Sequence, residues 1–263
     1  MKDFRERLYF RTDGYLYDET RNLLTQEFAD ISIVNNIVEQ IASGENTLNT
    51  IAAKIGEKEP TVLYSLDKLI NVGLVEKKKC ITDEKNKKKT QYVLKDYMFK
   101  FWYEFIPKAT SVIEMGQGAL YYQKAVKPVL HSFMDTVFEE MCRYYTLKQG
   151  ITGEYGCFLT SVGSWWGTEN ITDENDNIRT QSADIDVVSI SELDKKAVIG
   201  ECKFKSEKID KGIYETLIRR GKLIAAKYKV SKYIFFSLSG YTDWFKDLKD
   251  EDVLLLTLES LYE

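Results

Sequence analysis

The sequence predicts an α+β chain made of two parts with different grammars. The first part reads as a run of helices closed by a lysine-rich hairpin, and from about residue 124 helices and strands alternate. In the second part, two apolar strand-like stretches carry charge at their ends: Asp184-Ile185-Asp186-Val187-Val188 and Gly200-Glu201-Cys202-Lys203-Phe204. Charged groups within apolar strands are costly unless they are paired or bind a cation, so these two stretches mark the candidate site.

Composition narrows the classes. At 263 residues, with 44% hydrophobic and 30% charged, the chain can bury one large core or two modest ones, and its length favours two. No apolar run approaches the ~20 residues that cross a bilayer, and residues 1–7 lack the apolar centre of a signal peptide. Cys80, Cys142, Cys157 and Cys202 are scattered, with neither metal-ligand nor disulfide spacing. The expectation is a cytoplasmic protein with no membrane partner. The single histidine, His131, rules out a multi-histidine zinc site and, set in Val129-Leu130-His131-Ser132-Phe133, reads as a packing or helix-surface residue. Chemistry therefore falls to carboxylates and lysines. A net charge of -4 means that nucleic acid would have to be met by a local patch.

Within residues 30–96 the pattern is helix, helix, helix and a two-stranded wing. Ile33, Ile37, Val38 and Ile41 recur at helical spacing, and Ser43-Gly44 ends that helix. Thr47 caps a second helix over 48–55, closed by Gly56, and Pro60 opens a third whose buried stripe is Leu63, Leu66, Leu69 and Ile70. Strands are expected at 74–76 and 90–94. This is winged helix–turn–helix grammar, and it places Thr61, Tyr64, Ser65 and Lys68 of the third helix toward DNA. The wing carries Lys77, Lys78, Lys79, Lys85, Lys87, Lys88 and Lys89. These lysines could neutralise phosphates and give salt-sensitive binding, or simply solvate the hairpin and block edge pairing; both readings stand. The aromatic run over 96–105 is expected to pack the winged helix against the second part, and 111–123, with Gly116 and Gly118, reads as a linker. The expected division is 1–110, 111–123 and 124–263.

In the second part, Phe133, Val137, Phe138 and Met141 mark a helix, and 157–162 reads as a strand leading to Gly163-Ser164-Trp165-Trp166-Gly167. The tryptophan pair is expected to cap the core at the strand end. The Asp186 and Glu201 strands come next, joined by a turn over 191–196. After them come a helix over 214–228, a strand over 233–238, a short helix over 243–248 and a strand over 253–258. The order α-β-β-β-α-β, then α-β, is that of a restriction-endonuclease-like α/β domain.

Residues two apart on a strand share a face, so Glu201 and Lys203 lie together, and a neighbouring strand can bring Asp186 beside them. Two carboxylates and an ammonium suit a hard divalent cation, Mg²⁺ or Mn²⁺, and a polarised water, the pattern of PD-(D/E)XK nucleases. Asp186 and Glu201 would be the metal ligands, with the Cys202 carbonyl a further candidate. Lys203 would orient or help deprotonate the water, or stabilise charge developing on phosphorus. Glu139 or Glu140 on the preceding helix could complete the shell, and Asp184 could assist. Arg219, Arg220 and Lys222 are candidate phosphate contacts. The competing reading is a structural ion pair between Lys203 and Asp186 or Glu201.

These residues together resemble the C-terminal half of a family of archaeal and bacterial AAA-type ATPases, in which a P-loop ATPase precedes a winged helix and a nuclease-like domain of unknown function. The resemblance rests on Gly14-Tyr15-Leu16-Tyr17-Asp18-Glu19, Ile51-Ala52, Leu66-Asp67-Lys68-Leu69 through Gly73-Leu74-Val75-Glu76, and 96–105. In the second part it rests on Phe138-Glu139, 163–167, Ile185-Asp186 and Glu201-Cys202-Lys203. It implies Glu139 rather than Glu140 as the helical ligand. It also places Asp184 where an acidic residue, usually glutamate, stands. No G-x-x-x-x-G-K-[ST] occurs, and Gly221-Lys222 is followed by Leu223, so no ATP site is expected. An ATPase domain or subunit is an expected partner alongside DNA, and the chain reads as a C-terminal fragment, a split product or a natural short form. Nuclease-like domains also persist as inactive binding modules, so catalysis is an open expectation.

Overall fold

The computed structural model describes all residues except 1–3, 29–30, 84–85, 87–88, 173–175 and 263. It is a mixed α and β structure, divided into a first unit of Met1–Lys78 with Thr90–Phe133 and a second of Lys79–Lys89 with Met134–Glu263.

The first unit opens with α1 (Phe4–Tyr9) and α2 (Glu19–Glu27), then α3 (Ile31–Ala42), which buries Val34, Ile37, Val38 and Ile41. In α4 (Leu48–Ile55), Thr47 and Thr50 form the reciprocal cap expected of the N-terminus, and Gly56 at φ +74° ends the helix in the left-handed conformation. α5 (Glu59–Asn71) has Pro60 in its first turn and buries Val62, Ser65, Leu66 and Leu69, a stripe spaced i, i+3, i+4, i+7. Leu63 and Ile70, expected in that stripe, are only half-buried. β1 (Val75–Lys79) and β2 (Thr90–Leu94) pair as a two-stranded sheet.

α6 (Tyr97–Phe105) is capped by Asp96, whose carboxylate accepts from the amides of Met98 and Phe99. Its aromatic residues build the interior of the first unit itself. Phe101 meets Tyr9 at a ring separation of 4.8 Å and Phe105 at 4.9 Å. Trp102 Nε1 donates to the Tyr17 carbonyl at 2.6 Å, and Tyr103 donates its hydroxyl proton to Asn35 at 2.7 Å. Aromatic side chains each bury a large area and, for Trp and Tyr, need a polar partner, and both partners here come from the same unit. Residues 111–123 are not a linker: α7 (Thr110–Glu114), α8 (Gly118–Tyr121) and a π-helical turn at Tyr122–Val126 fill the stretch, with Ile113 and Tyr122 buried. The expected division at 110 and 123 thus moves to the Phe133/Met134 junction.

α9 (Leu130–Ile151) runs from the end of the first unit into the second. A five-stranded sheet comes next, in the order β3-β4-β5-β6-β7, made of β3 (Ser161–Thr172), β4 (Ile178–Ser191), β5 (Lys196–Lys203), β6 (Lys229–Ser237) and β7 (Val253–Thr257). The first three strands pair antiparallel, and β5, β6 and β7 pair parallel. α10 (Lys211–Ala225) is the crossover between β5 and β6, as a parallel pair requires. One core joins Leu217 and Ile224 of α10 to Ile185, Val188, Ile199 and Phe235, and a second joins Phe138 and Cys142 of α9 to Val187, Val198, Ile234 and Phe236. With both faces covered, the central strands read as near-continuous apolar runs.

Three details depart from expectation. Residues 157–160 precede β3, which begins at Ser161, so Trp165 and Trp166 lie well inside a long strand, with Trp165 buried. The register between β3 and β4 passes from Gly163↔Val188 to Trp165↔Ile185, so that Asp186 and Val187 face the single residue Ser164 as a β-bulge. Finally, the loop between β1 and β2 is not wholly solvated. Cys80 and Ile81 are buried in the core of the second unit, and the Ile81 amide donates to the Ser164 carbonyl at 3.2 Å.

Gly118 is the tightest approach in the first unit: a Cβ there would sit 1.9 Å from the Phe10 carbonyl oxygen. Backbone cannot yield cheaply, so Gly118→Ala should cost about 1–3 kcal/mol, read as a lowered melting temperature or denaturant midpoint.

Candidate functional site

The ladder between β4 and β5 runs from Ser191↔Lys196 to Val187↔Gly200 and stops there. The next residues, Asp186 and Glu201, sit where the two strands part. The Cys202 amide, just past the last paired residues, donates instead to Asp186 Oδ2 at 2.8 Å. Glu201 and Lys203 share a face of β5, as the period of two requires, and Lys203 Nζ donates to Glu201 Oε1 at 2.5 Å. All three side chains line a cavity of about 420 Å³, together with Asp184, Asp210, Gly212, Ile213, Thr216 and Arg220.

The electrostatics come from this placement. Burial, and then the negative charge of Glu201, push the Asp186 carboxyl up to about 7, although the Cys202 amide and the Lys203 ammonium oppose the rise. For Lys203, burial works against the charged form, but the adjacent Glu201 carboxylate outweighs it and raises its pKa. Two carboxylates share one ammonium in a partly buried cleft.

Of the other expected site residues, only Asp184 and Arg220 line the cavity. The Asp184 side chain is 72% exposed and accepts from Arg220 Nη1 at 3.1 Å. Glu139 and Glu140 both accept from Arg143, at 3.4 and 2.9 Å, and neither lines the cavity. Among the described residues, no group of three or more His, Cys, Asp or Glu side chains is arranged to hold a metal ion. Arg219 and Arg220 donate to Glu169 of β3, at 2.9 and 3.5 Å, rather than standing clear as phosphate contacts. Lys222 is exposed. Glu169 is buried, and Arg219, helped by Gln181 and Arg220, holds its carboxyl down at about 2 against the opposing effect of burial. Nothing in the sequence around Glu169 marks it. Asp210, by contrast, carried a readable signal: it caps α10 by accepting from the Ile213 amide at 3.0 Å.

In the first unit, Thr61, Tyr64 and Lys68 lie exposed on α5, with Lys68 Nζ 4.3 Å from the centre of the Tyr64 ring. Ser65 does not join them, because it belongs to the buried stripe. On β1, Lys77 and Lys79 are exposed and Lys78 is half-buried. Lys89 is tied into the second unit, 3.6 Å from Asp83 and 5.9 Å from the centre of the Trp165 ring. Lys85, Lys87 and Lys88 lie outside the described residues.

Comparison with known proteins gives similarity without an activity. Residues 102–217, somewhat less than half of the chain, match the family DUF234, described as archaeal and bacterial proteins of unknown function. An uncharacterized protein of Methanocaldococcus jannaschii is 26% identical over 224 residues, covering 84% of this chain but 47% of that protein. The chain thus spans about half the length of that relative. Among solved structures, a mutant of Lactococcus lactis ZitR aligns at 18% identity and a TM-score of 0.27, covering 47% of this chain and 93% of that one. Protein VC1899 from Vibrio cholerae aligns at 11% identity and a TM-score of 0.33, over 94% and 52% of the two chains. No helix among the described residues is long and apolar enough to cross a membrane.

The charge pattern can be tested at two carboxylates. The folded Asp186 carboxyl, at about 7, lies above the unfolded value of about 3.9, so the folded state binds more protons between those limits. Its contribution to stability therefore falls as pH rises from about 4 to 7. Asp186→Asn should melt close to wild type near pH 4 and a few degrees higher at pH 8; parallel melting curves across that range would contradict the burial of this carboxylate. Glu169→Ala removes the carboxylate partner of Arg219 and one of the partners of Arg220, which keeps Asp184, and should cost about 1–2 kcal/mol at neutral pH, measured by chemical denaturation.

Proposed function

We propose that the chain is a DNA-associated module: a winged helix joined to a restriction-endonuclease-like domain that hydrolyses phosphodiester bonds with Mg²⁺ or Mn²⁺. The observation that carries this reading is the placement of Asp186, Glu201 and Lys203 together at the parting of two central strands, on the wall of an open cavity. The donor set suits a hard cation. Asp186 resists ionising because it is buried and, second, because the Glu201 carboxylate lies nearby; Lys203 offsets only part of this, and a divalent cation would offset more. Asp186 and Glu201 would hold it, with water and substrate phosphate oxygens completing the shell, as Mg²⁺ sites commonly allow. Such an ion supplies Lewis acidity toward a phosphoryl oxygen and a more acidic bound water. The protein's own part is to keep Lys203 Nζ where negative charge develops, and to keep Asp186 fixed through its bond from the Cys202 amide.

A second reading is favoured by one contact. Lys203 already pairs with Glu201 at 2.5 Å, which fits a structural ion pair in a domain that binds DNA or a partner without cutting it. Under either reading, α5 presents Thr61, Tyr64 and Lys68 to DNA, and the β1 lysines add phosphate contacts. An ATPase domain or subunit acting with this module is part of the same proposal and comes from the family resemblance.

The test incubates wild type and Glu201→Gln with Mn²⁺ and single-stranded, duplex and branched DNA. Cleavage by wild type, reduced at least 100-fold in Glu201→Gln, is the expected result. Equal cleavage by both, or cleavage by neither, removes the nuclease. For the first unit, replacing Tyr64 and Lys68 together by alanine should weaken duplex binding about tenfold and flatten its salt dependence, measured by fluorescence anisotropy.

A further inference from the structure

Arg143 is a buried charge that no role so far described requires. Its side chain is only 7% exposed, in the middle of α9, and Glu139 and Glu140 of the same helix partly neutralise it. Burial works against the charged guanidinium, yet the two glutamates outweigh it and raise its pKa. A buried ion of this kind is weak evidence for stability, because apolar packing does as well, so the reason for it lies in what else it touches. Arg143 Nη1 donates at 2.8 Å to the main-chain carbonyl of Asp186.

That carbonyl belongs to the bulged segment. The β3–β4 register skips from Val188 to Ile185, leaving Asp186 without a one-to-one partner on β3, and its β5 ladder has already ended at Val187. A bulge is where a strand can re-aim a side chain, and where its backbone most needs an outside partner. Asp186 is thus pinned at two points: Arg143 holds its main-chain oxygen, and the Cys202 amide holds Oδ2. The remaining carboxylate oxygen, Oδ1, accepts no hydrogen bond from the described residues and belongs to a side chain lining the cavity.

We propose that Arg143 is a positioning residue for the cavity, fixing the bulge at Asp186 so that its carboxylate stands beside Glu201 for cation binding. The cation half of this inference rests on the reading given under Proposed function; the positioning half does not. Outer partners that orient metal ligands typically contribute about 10- to 100-fold in affinity, and Arg143 falls in that class of contact.

The experiment uses the full chain and two readouts. The first is Mn²⁺ affinity by titration calorimetry. The second, which needs no metal, is hydrogen exchange at the Cys202 amide, whose acceptor is Asp186. Arg143→Met removes the donor, and Arg143→Gln keeps one without charge. The expected result is about a 10- to 100-fold loss of Mn²⁺ affinity in Arg143→Met, a smaller loss in Arg143→Gln, and faster exchange at Cys202 than at other amides of β5. Unchanged affinity with unchanged Cys202 exchange overturns the proposal, as does a uniform speeding of all β5 amides. If wild type binds no Mn²⁺ while Cys202 exchange still responds selectively, positioning stands and the metal reading falls. Should Arg143→Met fail to fold, Arg143→Lys keeps charge for the glutamates but loses the planar fork. It should then lose roughly three- to tenfold in Mn²⁺ affinity with faster Cys202 exchange, and wild-type behaviour in both would overturn the proposal.

Discussion

The Cys202 amide donates to the Asp186 carboxylate at the place where the ladder between β4 and β5 ends, and the cavity of the second unit is organised around that bond. A main-chain amide just beyond the last ladder pair needs an acceptor, because an orphaned buried donor costs about 1–3 kcal/mol. Asp186 supplies it, and in doing so is held where solvent is scarce and Glu201 is close. The need to satisfy one amide thus creates an electrostatic problem for one carboxylate. Lys203 answers half of it through Glu201.

Charge is arranged around the cavity in two further clusters. On one side, Arg143 of α9 sits between Glu139 and Glu140 and reaches the main chain of Asp186. On the other, Arg220 of α10 bridges Glu169 of β3 and the outer acid Asp184 of β4. Each cluster joins a helix to a strand carrying a cavity residue or to its neighbour. The sheet is covered on both faces by apolar packing, and these polar ties fix the edge where packing gives out.

Much of this was legible in the residues. The cap of α4, the first-turn proline of α5 and the alternation of helices and strands along the second unit obey local rules that packing does not override. The sharing of a face by Glu201 and Lys203 comes from strand period alone. What could not be read depends on position across the chain. Ser65 reads as an exposed polar residue, yet it is buried because the α5 stripe runs through Val62 and Ser65 rather than Leu63. Glu169 is an acid in a polar stretch whose burial depends on arginines 50 and 51 residues away. The bulge at Asp186 is invisible because a period of two cannot announce its own exception, and the aromatic run over 96–105 declared its burial but not its partners.

The segment Lys79–Lys89 carries one more consequence. It lies in sequence between the greater parts of the first unit, but Cys80 and Ile81 complete the core of the second. The polypeptide therefore crosses from one unit to the other three times, after Lys78, after Lys89 and after Phe133. Neither unit is a contiguous stretch, so no single cut of the chain separates them. A chain started at Met134 would lack two buried side chains and leave Trp165 short of its neighbours. Gene dissection at the apparent boundary would return two damaged halves. Completing the second core brings Lys79–Lys89 against residues beyond Met134, so it carries the closure entropy of the 44 residues Thr90–Phe133 between them.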